Sequence, residues 1–266
     1  MSTAQLRSEV RRLRERRMSE FSDIPEDRVE FASSVGLTEL DPWQERLLRS
    51  GSTRVLLNCS RQSGKSTMAG IIALHHALTS PGSLTLILAP AERQARELFS
   101  KLVASYRVLG HATPANSYRK LGMELINGSR IEALPGSEKT IRGYSGVGLL
   151  ILDEAARVDD ALYYAVRPML AVSGGSLMML STPFGKRGVF FAEWQGGKGW
   201  ERYAIPAAEC PRISPGFLAE EREALPARVY RQEYECSFEE TEDQVFSYKE
   251  IENAMTDEVA PLFGGA

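Results

Sequence analysis

The stretch "LLNCSRQSGKST" (56 to 67) ends in Gly64-Lys65-Ser66, the close of a phosphate-binding loop with the pattern G-x-x-x-x-G-K-[ST]. The leading glycine is absent. Cys59 holds its place, and Arg61 sits inside the loop. Backbone N–H groups of such a loop, with the N-terminus of the helix after it, bind anionic oxygens. Gly64 lets the backbone approach a phosphate closely. Lys65 would reach the β- and γ-phosphates, and the Ser66 hydroxyl would ligate Mg²⁺. A bare Gly-Lys-Ser is also what a surface turn before a helix looks like. A second segment, "LLILDEAA", sets Asp153 and Glu154 directly after four apolar residues. An acid at such a strand end holds the metal, and its neighbour polarises the attacking water. Asp153 is therefore the candidate metal carboxylate and Glu154 the candidate general base. Third, "MLSTP" ends a run at Ser181 and Thr182, whose hydroxyls are placed to sense the γ-phosphate or the water. Fourth, Trp43-Gln44 in "DPWQERLLRS" offers a carboxamide for adenine beside an aromatic ring, while Asp41 and Pro42 also read as the N-cap and first residue of a helix.

These residues need elements to hold them. "TRVLLN" (53 to 58) is a β-rich run leading into the loop, and Lys65 to Leu78 is helical in composition. "SLTLILAP" (83 to 90) is almost wholly apolar, as expected of a strand covered on both faces. A helix follows in "AERQARELFSKLVASYRVLG". "MELINGSRIEALP" carries Asn127-Gly128 between alternating runs, a hairpin signal. "VGLLILDEAA" is a third buried strand, Asp160 to Val172 is helical, and "SLMMLSTP" (176 to 183) is a fourth strand. Strands alternating with helices predict a parallel sheet in an α/β fold, with its chemistry at the C-terminal strand edge. After "ERYAIPAAECPRISP" the alternation stops, and residues 216 to 255 read as a small helical subdomain. Residues 3 to 20 read as a helix with six arginines, a solvated helix or a contact for DNA or an acidic partner.

The net charge of -3 excludes a polycationic nucleic-acid binder, so any nucleic-acid contact must be local or part of an assembly. The three cysteines form no C-x-x-C pair and the three histidines no H-E-x-x-H pattern, which argues against structural zinc. Sparse cysteine fits a reducing, cytosolic setting. No apolar run reaches the ~18 residues of a membrane span, and the N-terminus lacks the apolar region of a signal peptide.

Taken together, "SRQSGKST" with its loop arginine, "LILDEAA", "LSTP", the upstream "WQ", "TIRGYSG" (140 to 146) and "RQEYECSF" (231 to 238) resemble the large terminase subunits of tailed double-stranded DNA bacteriophages, over about residues 40 to 250. In that family the missing glycine and the loop arginine are ordinary features. The resemblance implies an ASCE-type P-loop NTPase with a mostly parallel central sheet flanked by helices, plus a small helical lid subdomain. The implied division is a basic helical segment at 1–40, an ATPase core at 41–210, a lid at 211–255 and a tail at 256–266. It implies an ATPase that uses ATP and Mg²⁺ to translocate double-stranded DNA into procapsids. Implied partners are double-stranded DNA, a portal protein, a small terminase subunit and other copies of the chain in a ring, in the host cytoplasm and without a membrane.

Residue by residue, the nucleotide would lie on Ser60, Arg61, Gln62, Ser63, Gly64, Lys65, Ser66 and Thr67. Arg61 resembles the family's phosphate-contacting arginine, Gln44 its adenine-reading glutamine and Thr182 its coupling residue. Arg142 resembles the arginine that reaches a neighbouring subunit's site, with Arg61 in cis and Arg157 as competing candidates. Glu154, Arg142, Lys65 and Arg61 form the expected catalytic set, and Ser66 and Asp153 the metal set. Lys186 and Arg187 are candidate DNA contacts. Glu233, Tyr234 and Phe238 read as core or hinge packing. Family members usually continue into a nuclease domain, and the sequence ends at "PLFGGA", so no nuclease activity is expected of this chain. Two other readings share the motifs: a superfamily 2 helicase, and a module that binds ATP to order an assembly with little hydrolysis.

Overall fold

A computed structural model describes residues 24–110, 115–136 and 143–240, together with the single residues 5, 141, 250 and 254. Helix α1 (Arg28–Ser34) begins at Asp27, whose carboxylate accepts from the amides of Val29 and Glu30, a cap that satisfies two orphan N–H groups. Helix α2 (Pro42–Arg49) starts at the Asp41-Pro42 pair. Strand β1 (Arg54–Cys59) then runs into the loop and helix α3 (Lys65–Thr79). Strand β2 (Leu84–Ala89) and helix α4 (Glu92–Val108) follow. Next come β3 (Ala115–Arg119), β4 (Gly122–Leu125) and β5 (Arg130–Pro135). Strand β6 (Val147–Asp153) leads to α5 (Asp160–Val166), and β7 (Ser176–Ser181) to α6 (Gly188–Gln195). Strand β8 (Glu201–Ile205) precedes α7 (Pro215–Ala224) and α8 (Ala227–Tyr234).

The eight strands form one sheet in the order β3-β4-β5-β2-β6-β7-β1-β8. From β5 to β8 every pairing is parallel, and β4 and β3 extend the edge antiparallel. Strand β7 lies between β1, which carries the loop, and β6, which carries Asp153; this insertion is the ASCE arrangement. Register puts the business ends level. Asn58 pairs with Ser181 and Asp153 with Leu180, so Ser60, Thr182 and Glu154 leave the sheet at the same edge.

Side chains alternate between two cores. On one face Val55, Leu57, Ile87, Leu149 and Ile151 pack with α1 to α4. On the other, Leu56, Leu86, Leu88, Leu150 and Leu152 pack with α5 and α6. Each such fully buried side chain contributes about 1.5–3 kcal/mol. Helix α3 is buried over most of its circumference and lies between sheet and α4. Gly70 permits the close approach, because a Cβ there would sit 3.3 Å from the Leu102 nitrogen. Among the described residues no helix is long and apolar enough to cross a membrane.

Several elements differ from the sequence expectation. The strand ending in Asp153 is the sixth along the chain, because β3 adds one unforeseen strand ahead of the two expected of the hairpin, β4 and β5. The edge strand β8, paired with β1, lies within the "ERYAIP" segment. The helix expected to run to Val172 stops at Val166 and tightens into a 3₁₀ turn over Arg167–Leu170, where Pro168 supplies no N–H. Among the described residues of the expected lid, helix forms α7 and α8 and is present at Glu250 and Ala254, and residues 235–240 are not helical. The arginine-rich segment at 3 to 20 lies outside the described residues, apart from Gln5.

Candidate functional site

The loop at the end of β1 is held open by two left-handed residues, Gln62 (φ 62°) and Gly64 (φ 95°). Only glycine takes the second without strain, and a Cβ there would also lie 3.1 Å from Gln44 Nε2 and 3.5 Å from Arg212 Nη2. The fold uses some loop amides itself. Ser60 N–H donates to Ile205 O at 2.9 Å, Arg61 N–H to Glu233 O at 3.0 Å, and Thr67 N–H to Gly64 O at 3.0 Å. Ser60 is fully buried at the end of β1. Between them, none of the described residues accepts from the amides of Gln62, Ser63, Gly64, Lys65 or Ser66. Five successive N–H groups without a protein acceptor, opening a fifteen-residue helix, form a concavity suited to phosphate oxygens.

Lys65 points across this concavity to Glu154, with Nζ 3.1 Å from Oε1 and both side chains largely buried. Burial pulls the Lys65 ammonium down, but the charges of Glu154 and Asp153 outweigh it and hold it above its ordinary value. Glu154 follows β6 in a left-handed conformation (φ 51°), which turns its carboxylate over the sheet edge. Its second oxygen accepts from Arg157 Nη1 at 3.1 Å, and the same nitrogen donates to Thr182 Oγ1 at 3.0 Å. Arg157 thus joins the ends of β6 and β7 and also lies over the Phe184 ring, 4.6 Å away.

Asp153 is 5% exposed and, among the described residues, accepts one hydrogen bond, from its neighbour's amide at 3.0 Å. Burial and the adjacent Glu154 charge push its carboxyl up to about 6, against the pull of Lys65. A buried carboxylate short of positive charge, at the sheet edge where the loop carrying Ser66 lies, suits a hard cation. Among the described residues no cluster of three or more His, Cys, Asp or Glu offers a complete protein cage. Mg²⁺ does not need one, since it keeps waters and phosphate oxygens in most of its positions.

Two cavities flank Arg61 and Gln62. One, of about 380 Å³, is lined by Arg61, Gln62, Lys65, Arg93, Gln94, Glu154, Arg157 and Thr182. The other, also about 380 Å³, is lined by Arg61, Gln62, Arg212, Ile213, Ser214, Phe217 and Tyr234. Phe217 and Tyr234 meet edge to face at 6.1 Å in its wall. Arg212 closes its floor with a fork onto Asp41 (2.9 and 2.8 Å) and a bond to Ser63 O at 2.9 Å. Gln44 is buried beneath the loop, and its Oε1 accepts from the Asp41 amide at 3.0 Å, leaving Nε2 toward Gly64.

Lys65, Ser66, Asp153, Glu154 and Thr182 therefore come to one edge, with Arg61, Gln62, Ser63, Gly64 and Thr67 in the loop beside them. Arg142 lies outside the described residues. Arg61 is the loop residue with an unforeseen partner: its side chain is ion-paired with Glu233 on α8. That corrects the packing expectation for Glu233, whereas Tyr234 packs on Tyr230 and Phe217 and also lines the cavity. Phe238 does pack, against Phe190, Phe191 and Trp194. Lys186 Nζ lies 3.8 Å from Glu240, and Arg187 stacks on Phe184 at 4.9 Å. Arg93, Arg212 and Phe217 had no local sequence signal, since their partners are far away in the chain.

With this geometry in place, similarity to known proteins is informative. The family model described as terminase large subunit, T4likevirus-type, N-terminal, matches residues 56–253. The large terminase subunit of Thermus virus P23-45 is 27% identical over 235 residues, covering 75% of this chain and 48% of that protein. That of Escherichia phage T5 is 26% identical over 196 residues, covering 70% and 44%. The chain thus spans about half the length of the curated relatives it matches. Among solved structures, the large terminase ATPase domain of Thermus phage P74-26 superposes with a TM-score of 0.70 at 24% identity, covering 79% of this chain and 97% of that one. The large terminase of a thermophilic bacteriophage, solved with ADP, superposes with a TM-score of 0.65 at 12% identity, covering 75% and 54%. By the family model, which spans most of the chain, this protein belongs to the large terminase subunits.

Proposed function

We propose that the chain is the ATPase motor of a phage DNA-packaging machine, hydrolysing ATP with Mg²⁺ to move double-stranded DNA into procapsids. The observation that carries this reading is the loop of five amides without acceptors, set beside Lys65 and across from Asp153 and Glu154. The thermophilic phage terminase has been solved with ADP and with ATP-γ-S, which supports nucleotide binding.

The triphosphate lies on the amides of residues 62 to 66, and the base enters the cavity of Phe217, Tyr234 and Arg212. Gln44 offers only its Nε2 to the base. Ser66 and Asp153 would hold Mg²⁺, which would supply charge neutralisation at the phosphate oxygens. Lys65 exchanges its Glu154 partner for phosphate oxygens, which leaves Glu154 with Arg157 and free to accept a proton. Water then attacks the γ-phosphorus, its proton passes to Glu154, and the bond to the β-phosphate oxygen breaks to leave ADP. Thr182, tied to Glu154 through Arg157, reports the change to the loop after β7. Arg142 is the candidate arginine finger acting on a neighbouring subunit of a ring, and with such a finger specific activity rises with protein concentration. DNA is held through its phosphates by basic residues such as Lys186 and Arg187, and binding weakens steeply with salt.

Two variants test this. Lys65→Ala should abolish nucleotide binding. Glu154→Gln should still bind ATP while turnover falls ~10²–10⁴-fold. If wild-type chain, concentrated and with DNA, turns over no faster than Glu154→Gln, the chain is a nucleotide-gated assembly module instead.

A further inference from the structure

The proposal concerns Arg93, in the first turn of α4, and rests on the nucleotide reading above. Four cations line the phosphate-side cavity, against one acid, Glu154. Three of the four already have acid partners. Lys65 and Arg157 are both on Glu154, and Arg61 is on Glu233. Arg93 has no hydrogen bond, ion pair or ring contact among the described residues. Its sequence neighbour Glu92 does not serve it, because that carboxylate is held by Arg96 at 2.6 Å and Lys120 at 2.9 Å. Gln94, on its other side, is fixed by accepting from the Ala91 amide at 3.1 Å, which pins the turn that carries Arg93. The result is a positioned backbone with an uncommitted guanidinium at a cavity already short of negative charge.

Strand order says which part of a triphosphate it would meet. The loop leaves β1, whereas Arg93 follows β2, and β7 and β6 lie between them. Leu88 pairs with Leu152, so β2 ends level with Asp153. Phosphates seated on the loop therefore present the chain's terminal group toward β6, and the cavity wall beyond that group belongs to Arg93. Lys65 and the loop amides grip from the β1 side. From this placement we propose that Arg93 contacts the γ-phosphate of the nucleotide bound to its own chain, and so discriminates triphosphate from diphosphate without help from a neighbouring subunit.

The test is equilibrium binding of ATP-γ-S and of ADP, each with Mg²⁺, to dilute wild-type, Arg93→Ala and Arg93→Lys chains without DNA. One charge-assisted phosphate contact corresponds to about tenfold in affinity. Arg93→Ala should weaken ATP-γ-S about tenfold and leave ADP within twofold, and Arg93→Lys should recover part of the loss because it keeps the charge. Equal weakening of both ligands, or no change in either, overturns the proposal. So does an effect that appears only at high protein concentration or with DNA, since that would place Arg93 at a subunit or DNA contact. Lys65→Ala serves as the control that separates the two readings. If wild type binds neither ligand, or Lys65→Ala binds both normally, the nucleotide reading has failed before Arg93 is at issue.

Discussion

Asp153 is buried with a like charge beside it and, among the described residues, a single hydrogen bond, from a backbone amide. Without a bound cation, keeping it ionised costs stability, and its carboxyl is accordingly held up at about 6. Asp153→Asn removes the charge at nearly constant volume. Above pH 7 and without nucleotide, the variant should be more stable than wild type by about 1–3 kcal/mol, while magnesium-dependent turnover disappears. Urea denaturation of the unliganded proteins checks the first half, and an ATPase assay with Mg²⁺ the second. An unliganded variant less stable than wild type would mean that Asp153 is structurally satisfied in a way the hydrogen bonds do not reveal. The type and position of this residue were readable from "LLILDEAA", because an acid directly after an apolar run has few structural uses. Its degree of burial was not, since that depends on β7 and β2 packing on either side.

The pair of helices α7 and α8 is tied to the loop at two points, the Arg61 amide on Glu233 O and the Arg61 guanidinium on the Glu233 carboxylate. Asn58 Nδ2 adds a bond to Cys236 O at 2.8 Å, just past α8. An arginine engaged by a carboxylate is not available to a phosphate, so nucleotide and α8 compete for Arg61. Glu233→Gln keeps the shape and the backbone bond but removes the charge. ATP affinity should rise by about two- to tenfold, a range set by the modest strength of a half-exposed ion pair. Hydrogen exchange in α8 should quicken in the unliganded variant, because one of the ties is gone. Unchanged affinity would show that Arg61 stays on α8 throughout the cycle. Nothing local in "RQEYECSF" distinguishes a latch from packing, since the partner of Glu233 lies 172 residues away in sequence. Fold-level pairing of this kind is what sequence patterns do not encode.

Over the whole molecule, the central strands were legible because "LLILD", "LTLIL" and "LMML" are continuous apolar runs, the mark of strands covered on both faces. The edges were not. Strand β3 ("ANSYR") is largely exposed and β8 ("ERYAI") alternates, so neither rises above the pattern of a loop or helix flank. The opposite end of α3 carries a feature that no motif announces. His76 packs against Gly148 of β6 and, with Arg28 of α1 and Ser176 of β7, lines a small cavity at the far edge of the sheet. Its Nε2 is buried without a partner among the described residues. Burial, then the Arg28 charge and His75 next to it, hold its imidazole down at about 4. His75, whose Nε2 lies 3.1 Å from Pro25 O and which faces Phe31 of α1, is lowered as well, chiefly by burial. The sign follows from proton uptake. Below the ordinary histidine value of 6.5 the unfolded chain binds a proton that the folded chain refuses until about 4, so stability falls as pH drops through that window and levels off below it. His76→Gln removes its share and leaves that of His75. Between pH 7 and pH 4.5 the variant should lose about 1–3 kcal/mol less stability than wild type. Urea midpoints at several pH values across that interval measure the difference. Parallel curves for the two proteins would mean that His76 takes up its proton in the folded state as readily as in the unfolded one, through an opening of the α1–α3 contact that the packing on Gly148 does not suggest.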